Sequence, residues 1–275
     1  MRPNRRQGFQ GWSSPWLFAL AGVVTAGSLM LVASDRVPER IPSYVSWTPE
    51  TIAAASAGDA FRGMLLARRC EHCHGVEGFS DRSTTPNLAG MDQLSIWKEL
   101  EDFRSHKRES RTMEPIAASL SSRDLADVVA YYGELPVFTD LQDNRSFPQP
   151  GPNPSHAGMA SHLISFGDGG RGIPPCQSCH GPVAYRIGVP SLVNQNGDYI
   201  LGQLEAFANR NRANDINMPM RTISTLLNDE ERHALAEFYG SGLGLPARKQ
   251  SVGRESRRPG NVPVPLQYLK AESRW

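Results

Sequence analysis

Four cysteines and two histidines have a spacing that would attach a redox cofactor to this chain. The pattern Cys-x-x-Cys-His occurs twice, at residues 70–74 and at residues 176–180. It is typical of covalent haem attachment, in which both thiols bond to the vinyl groups of haem and the His becomes the proximal iron ligand. We therefore predict two covalently bound haem c groups. The predicted attachment residues are Cys70, Cys73, Cys176 and Cys179, and the predicted proximal ligands are His74 and His180.

Cys-x-x-Cys pairs also bind zinc or act as redox dithiols. A zinc site built from both pairs would leave each following His without a role. A redox dithiol is expected beside a β-α-β pattern, and the sequence predicts none. All four Cys of the chain belong to the two motifs, so no thiol remains for a structural disulfide. Haem attachment is the interpretation that uses every residue of both motifs.

Charge is distributed unevenly along the 275 residues, although the formal net charge is only +1. Residues 1–6 carry three Arg, residues 241–275 carry seven basic and two acidic residues, and the remainder has 19 basic and 26 acidic residues. The acidic body argues against nucleic acid as a partner and favours docking to basic surfaces of other proteins. The basic C-terminal segment is rich in Pro and Gly, and we predict a disordered tail there.

The N-terminal segment has the features of a membrane anchor. Three Arg precede an apolar run from Trp16 to Ala33, which would extend about 27 Å as a helix, close to the thickness of a bilayer core. The positive-inside rule places the N-terminus in the cytoplasm and the rest of the chain on the periplasmic side of a bacterial inner membrane. The alternative is a cleaved signal peptide, with Val32-Ala33-Ser34 as the cleavage site and a soluble periplasmic product.

Proline content and hydrophobic periodicity divide the chain into six predicted segments. Residues 35–55 contain three Pro and residues 136–154 contain five, so both are predicted to be linkers. The segments are an N-terminus with the membrane segment (1–34), a tether (35–55), a first domain (56–135), a Pro-rich linker (136–154), a second domain (155–242) and a basic tail (243–275).

Apolar residues at helical spacing predict three helices in the first domain. The first two cover residues 57–69 and 93–104. The third begins with a capping box, Ser121-x-x-Asp124, and is predicted to bury Leu125, Val128, Val129 and Tyr132. Residues 111–115, with Met113 among them, are predicted to form a loop.

The two halves of the chain repeat each other. Cys70 aligns with Cys176 at an offset of 106 residues, and Phe103 aligns with Phe207 at an offset of 104. The cap recurs as Asn228-x-x-Glu231. This repeat predicts two similar, mainly helical domains, each with one haem that supplies much of the apolar core a small domain lacks.

The repeat also predicts the second axial ligand of each iron. Met113 follows His74 by 39 residues, and Met220 follows His180 by 40. We therefore predict the axial pairs His74/Met113 and His180/Met220. Met218 is the alternative to Met220, although the repeat aligns it with an Arg, which does not bind iron. Thioether ligation raises the reduction potential of haem iron relative to two imidazoles.

Residues 56–242 resemble the cytochrome c4 family of di-haem class I cytochromes c. The resemblance rests on the paired Cys-x-x-Cys-His-Gly motifs, the Pro-x-Leu segments at 86–88 and 190–192, and the Gly-rich approach to the second motif at 167–176. It implies two tandem class I cytochrome c domains and electron shuttling from a quinol-oxidising complex or a dehydrogenase to a terminal oxidase. It also implies that Pro86 and Pro190 orient the proximal His residues through their carbonyls, and that Tyr132 and Tyr239 lie on packed terminal helices. The basic tail departs from the family pattern.

Three functional hypotheses follow. The first is a membrane-tethered electron carrier with no catalysis of its own and with redox proteins as partners. The second is a di-haem enzyme, a peroxidase or a thiosulfate dehydrogenase. A peroxidase needs an open haem, which the matched Met residues oppose, and a thiosulfate dehydrogenase commonly uses a Cys ligand, for which no Cys remains. The third is a fixed electron-transfer subunit of a larger complex.

Overall fold

A computed structural model describes residues 42–135, 154–181 and 186–241, and these residues are mainly helical. We call residues 42–135 the first half and residues 154–241 the second half. The helices of the first half are α1 (Pro49–Ser56), α2 (Ala60–Ala67), α3 (Glu71–His74), α4 (Gln93–Arg104), α5 (Met113–Ala118) and α6 (Ser122–Glu134). Those of the second half are α7 (Pro154–Ser165), α8 (Gln177–His180), α9 (Gly197–Ala208), α10 (Pro219–Leu226) and α11 (Asp229–Gly240).

Several predicted segments lie outside the described residues. These are the N-terminal segment with its predicted membrane anchor, most of the Pro-rich linker and the basic tail. Among the helices that are described, none combines the length and the apolar character needed to cross a bilayer. Within the same residues the only β-type pairing is a bridge between Asp168 and Ile173, and no strand forms.

Each half has its own hydrophobic core. In the first half α2 and α4 pack on α6, whose residues Leu125, Val129 and Tyr132 are fully buried. In the second half α7 and α9 pack on α11, around Leu204, Leu235 and Phe238. Both halves belong to one compact unit, so contacts between them are part of the fold.

The helix signals in the sequence are largely confirmed. Helix α4 spans the predicted residues 93–104. The capping boxes at Ser121/Asp124 and Asn228/Glu231 are both formed, with each side chain bonded to the other residue's backbone N–H. These boxes satisfy donors that would otherwise be orphaned at the starts of α6 and α11.

Two predictions of local structure were wrong. Part of the predicted tether forms helix α1, which buries Ala55. Thr48 caps this helix, because its side chain accepts a hydrogen bond from the Thr51 N–H. The predicted loop at 111–115 is helical from Met113 onward, as the first turn of α5. Pro115 suggested a loop, but a Pro in the first turn of a helix costs no hydrogen bond because those N–H groups have no helical partner.

Helices α2 and α6 approach so closely that their contact requires glycine. A Cβ atom added to Gly63 would lie 1.9 Å from the backbone oxygen of Asp127, which cannot rotate away. Beside this contact, Arg62 forms an ion pair of 2.9 Å with the Asp127 carboxylate. The close approach brings α6 against the helix that leads into the first Cys motif.

We predict that Gly63→Ala lowers the free energy of unfolding by about 1–3 kcal/mol, because α2 and α6 must move apart to admit the methyl group. Gly202→Ala is the matched control, since Gly202 lies within α9 and a Cβ atom added there would meet no neighbouring side chain or helix within 4 Å. That control should be stabilised by up to about 1 kcal/mol, because Ala loses less backbone entropy than Gly in a helix. Denaturant titration of both haem-loaded variants checks this. Equal changes in the two would contradict the contact described.

Candidate haem-binding sites

The first Cys motif forms a single helical turn. Cys70 precedes α3, and its carbonyl accepts hydrogen bonds from the N–H groups of Cys73 (3.1 Å) and His74 (2.9 Å). A spacing of three and four residues places Cys73 and His74 on the same side of the turn as Cys70. Both thiols are half-buried and free, and His74 is buried. The turn therefore directs two thiols and one imidazole to one place.

The second motif has the same local geometry. The carbonyl of Cys176 accepts from the N–H groups of Cys179 (3.2 Å) and His180 (2.9 Å). Burial raises the pKa of the Cys176 thiol to about 11 and also raises the pKa of Cys70. In the described residues the two Cys pairs do not meet in any group of three or more metal-binding side chains.

A backbone carbonyl orients each motif His. The Nδ1 atom of His74 lies 2.8 Å from the carbonyl oxygen of Pro86, and that of His180 lies 2.8 Å from the carbonyl oxygen of Pro190. A carbonyl only accepts, so Nδ1 carries the proton and Nε2 presents a lone pair. Burial lowers the pKa of both imidazoles, which favours the neutral, ligating form. These are the hydrogen bonds that the family resemblance implied.

A cavity of about 620 Å³ opens beside the first motif. Its size is that of a pocket for a large organic ligand. Its wall contains Cys70, Cys73, His74 and Met113, together with apolar side chains that include Leu100, Phe103 and Val128. This combination of two thiols, an oriented imidazole, a thioether and an apolar wall fits a covalently attached haem. Met91, which the repeat leaves without a Met partner in the second half, also lines the cavity.

The predicted Met ligands occupy matching positions in the two halves. Met113 is the first residue of α5 and packs against the first core, as Cys70 does. Met220 lies in the first turn of α10 and packs against the second core, as Cys176 does. Met218 precedes that helix in a left-handed conformation, with φ of 64°, and is not among the described side chains packed on the core. The packing therefore favours Met220 over Met218.

Two buried phenols are consistent with a large cofactor in each half. Tyr132 on α6 and Tyr239 on α11 are buried, and among the described residues neither hydroxyl has a hydrogen-bond partner. Burial raises the pKa of both, with Cys70 beside Tyr132 and Cys176 beside Tyr239 adding to the effect, so both stay neutral. Buried hydroxyls without protein partners are rare, and here each lies beside a Cys motif. The repeat aligned these residues, and both lie on the terminal helix of their half as the resemblance implied.

A polar cluster joins the halves at the cavity wall. We call Glu99, Arg108, Gln203 and Arg212 the interface cluster; the repeat offset of 104 pairs Glu99 with Gln203 and Arg108 with Arg212. Arg108 donates to Glu99 at 2.7 Å and to Gln203 at 2.8 Å. Arg212 lies 2.9 Å from Glu99 and donates to Gln203 at 2.7 Å. All four residues line the cavity.

Each Arg of the interface cluster also stacks on an aromatic ring of its own half. The Arg108 guanidinium lies 4.7 Å from the ring centre of Phe103, and that of Arg212 lies 4.5 Å from the ring centre of Phe207. A guanidinium placed over the face of an aromatic ring gains a cation–π attraction, which helps to hold each Arg side chain in the contact. Sequence reasoning missed this cluster, although the alignment of Phe103 with Phe207 pointed to the same offset.

Nearby charges decide the ionisation of Glu99. Burial by itself would raise its pKa, but Arg212, Lys98 and Arg108 together hold the pKa well below the ordinary value for Glu. Lys98 also donates to Asp102 at 2.6 Å, and Asn214 of the second half donates to the same carboxylate at 2.7 Å. The contact between the halves is therefore built from ionised groups that are largely removed from water.

No protein-family model matches the chain. Curated proteins are similar to about two thirds of it, and three of them illustrate the match. A cytochrome c4 from Thiocapsa roseopersicina is 32% identical over 191 residues, which are 68% of this chain and 94% of that protein. A cytochrome c4 from Pseudomonas aeruginosa is 30% identical over 67% of this chain and 89% of that protein. A thiosulfate dehydrogenase electron acceptor from Stutzerimonas stutzeri is 33% identical over 64% of this chain and 79% of that protein.

Solved structures have the same fold. The reduced cytochrome c4 of Pseudomonas stutzeri aligns with a TM-score of 0.58 and 29% identity, covering 68% of this chain and 99% of that structure. A thiosulfate dehydrogenase from Marichromatium purpuratum aligns with a TM-score of 0.57 and 28% identity, covering 66% of this chain and 40% of that one.

We predict that Glu99→Gln lowers the free energy of unfolding by about 2–4 kcal/mol at neutral pH, because two guanidinium groups that are largely removed from water lose their shared carboxylate. Since the folded pKa of Glu99 is depressed, its stabilisation is complete above the unfolded value of about 4.3 and is lost as the pH falls through the folded value. The variant should lack that acid-dependent loss. Denaturant titrations at neutral and acidic pH measure both effects.

Glu101→Gln is the matched control for this prediction. Glu101 lies on the same helix and is exposed to a similar extent, but it pairs within its own half with Arg104, which is more exposed than either Arg of the interface cluster. Its loss should therefore cost less than about 1 kcal/mol. If the two variants lose equal stability at neutral pH, the interface cluster is not the stabilising contact described.

Proposed function

This chain belongs to the cytochrome c4 family of di-haem electron carriers, and we propose that it passes electrons from a quinol-oxidising complex or a dehydrogenase to a terminal oxidase or another acceptor. The observation that most supports this is the matched pair of motif imidazoles, each held by a proline carbonyl at 2.8 Å. An electron carrier keeps its iron closed by stable ligands, and both halves orient a motif imidazole in the same way.

We assign the cofactor contacts residue by residue. Haem is proposed to be attached through the four motif Cys residues, and the axial pairs are His74 with Met113 and His180 with Met220. This assignment is supported by the two helical turns, by the cavity that Cys70, Cys73, His74 and Met113 share, and by the packing of Met220 on the second core. When bound, haem iron supplies the one-electron change between its ferrous and ferric states.

The protein residues control the environment of that change. The carbonyls of Pro86 and Pro190 hold the Nδ1 protons, so the imidazoles keep one tautomer and one orientation. Apolar side chains such as Leu100, Phe103 and Val128 line part of the first cavity. An iron site closed by two protein ligands reorganises little when its charge changes, which suits electron transfer more than substrate chemistry.

The wall of the first cavity also supports transfer between the two halves. Tyr199, Gln203 and Arg212 of the second half line it beside His74 and Met113 of the first. The first site therefore lies directly against the second half. We propose that an electron that enters one half passes to the other across this contact.

We further propose that the protein acts at the outer face of a bacterial inner membrane, tethered by its N-terminal segment. The support is the sequence: three Arg followed by an uncharged apolar run, with the Cys motifs well beyond it. Signal cleavage with release of a soluble periplasmic protein is the alternative.

A specific donor is favoured by the comparisons. A relative named thiosulfate dehydrogenase electron acceptor is 33% identical to this chain and is covered over 79% of its length. A thiosulfate dehydrogenase structure contains a region with this fold. We propose thiosulfate dehydrogenase as a candidate donor, with this chain as its acceptor and not itself the enzyme.

We predict that Met113→Leu and Met220→Leu each abolish the Met-to-iron absorption band of one ferric haem and allow carbon monoxide to bind that haem when reduced, because Leu has no ligand atom. Met91→Leu and Met218→Leu are the controls and should keep both bands. Optical spectra and carbon monoxide titration measure this. If a control variant lost a band instead, the Met replaced in that control would be the iron ligand.

We predict that purified haem-loaded protein is reduced rapidly by thiosulfate dehydrogenase with thiosulfate, and only slowly by thiosulfate alone. Rapid mixing with optical detection of both haems measures these rates, and a quinol-oxidising complex with quinol is the second donor to test. Steady turnover of thiosulfate or peroxide by this protein alone would contradict the carrier role.

A further inference from the structure

A single peptide unit connects the first predicted iron ligand to the second half of the protein. The carbonyl of the Pro86–Asn87 peptide accepts the Nδ1 hydrogen bond of His74 at 2.8 Å. The N–H of the same peptide donates to Oε1 of Gln195 at 2.8 Å. A peptide unit is planar, so fixing the direction of its N–H also fixes the direction of its carbonyl. Gln195 thereby holds the group that orients His74.

Gln195 is placed firmly enough to act in this way. Its side chain is buried, and its Nε2 donates to the Asn87 carbonyl at 3.1 Å, which makes a two-point contact with one residue. Next to it, Asn87 donates from Nδ2 to the backbone oxygen of Asn194 at 2.6 Å. A buried amide that lost these partners would incur the desolvation cost of unpaired polar atoms. The contact is therefore a fixed part of the interface.

The second half has no equivalent contact. The carbonyl of Pro190 accepts the hydrogen bond of His180, but in the part of the chain that the structure describes no residue of the first half accepts from the Ser191 N–H. The repeat offset of 104 aligns Gln195 with Met91, whose thioether cannot donate and accepts weakly. Within these residues, the first motif His alone is tied through a peptide to the opposite half.

We propose that Gln195 is a positioning residue for His74, through which the docked second half sets the reduction potential of the first haem alone. The inference rests on the proposed ligation of iron by His74. A hydrogen bond to a peptide N–H polarises the amide and strengthens its carbonyl as an acceptor. A stronger acceptor at Nδ1 makes the imidazole a more basic ligand, which favours the ferric state and lowers the potential.

The test is Gln195→Met, which keeps the length of the side chain and removes the two hydrogen bonds to Asn87 together with the one that Oε1 accepts from the Asn196 N–H. We expect the reduction equilibrium of the first haem to shift about threefold toward the ferrous form, roughly 30 mV at 59 mV per tenfold change, with the second haem unchanged. Potentiometric titration with NMR detection separates the two haems. In reduced protein labelled with ¹⁵N-His, the His74 Nδ1–H resonance should move upfield as its hydrogen bond weakens.

Asn196→Ala is the matched control for a merely loosened interface. Asn196 makes two other hydrogen bonds across the same contact, to the backbone oxygens of Arg82 (3.1 Å) and Thr85 (2.6 Å), and does not touch the Pro86–Asn87 peptide. It should leave the first haem potential and the His74 resonance in place. The proposal is overturned if this control reproduces the shift, if both haems shift equally, or if neither moves.

Gln195→Glu is the alternative test if Gln195→Met does not fold, because it keeps the side-chain oxygen that accepts a hydrogen bond from the Asn87 N–H. A carboxylate is a stronger acceptor than an amide oxygen. The His74 Nδ1–H resonance should then move downfield, and an unchanged resonance would overturn the proposal. The Met-to-iron absorption bands distinguish the failure of this proposal from the failure of the proposed iron ligation. If the bands are present and neither the potential nor the His74 resonance changes in the variants, the role of Gln195 is rejected and the ligation is not. If the bands are missing from the unaltered protein, the ligation itself is rejected.

Discussion

The structure depends on one repeated constraint, a motif imidazole that donates to a proline carbonyl. The hydrogen bond requires the loop after each motif to return to the His at a fixed distance. In the first half this return is set by Gly78, whose carbonyl accepts from the Leu88 N–H at 2.8 Å. Gly78 has φ of 77°, and an added Cβ would lie 3.0 Å from the ring of Tyr132. Loop, motif and terminal helix thus constrain one another around a single imidazole.

The contact between the halves has a different physical basis. It is made of charged and amide groups, and burying such groups is unfavourable unless each finds partners. Here Glu99 is shared by Arg108 and Arg212, Gln203 accepts from both, and Asp102 receives Lys98 and Asn214. Because polar contacts are directional, they fix the relative orientation of the halves more strictly than apolar packing would. That orientation places the first cavity against the second half.

Local sequence signals predicted much of the helical structure. The capping boxes at Ser121 and Asn228 and the apolar face of α6 depend on neighbouring residues, so they were readable from the chain alone. Helices α1 and α5 were missed because each is short and has Pro in its first turn, where the residue is compatible with both helix and loop. Tertiary packing of Ala55 and Ala117 decided between these states.

The sequence by itself determined the chemistry of this protein: two Cys-x-x-Cys-His motifs within a repeat define two haem sites, because the spacing of thiols and imidazole is a local property of one helical turn. The prediction of Met113 and Met220 as axial ligands also came from the repeat. Only the tertiary structure decided how the halves meet, since Arg108 and Gln203, or Asn87 and Gln195, are distant in sequence and carry no pattern that links them. The asymmetry between two otherwise similar haem sites arises entirely from that contact, because a folded interface brings different neighbours to equivalent loops.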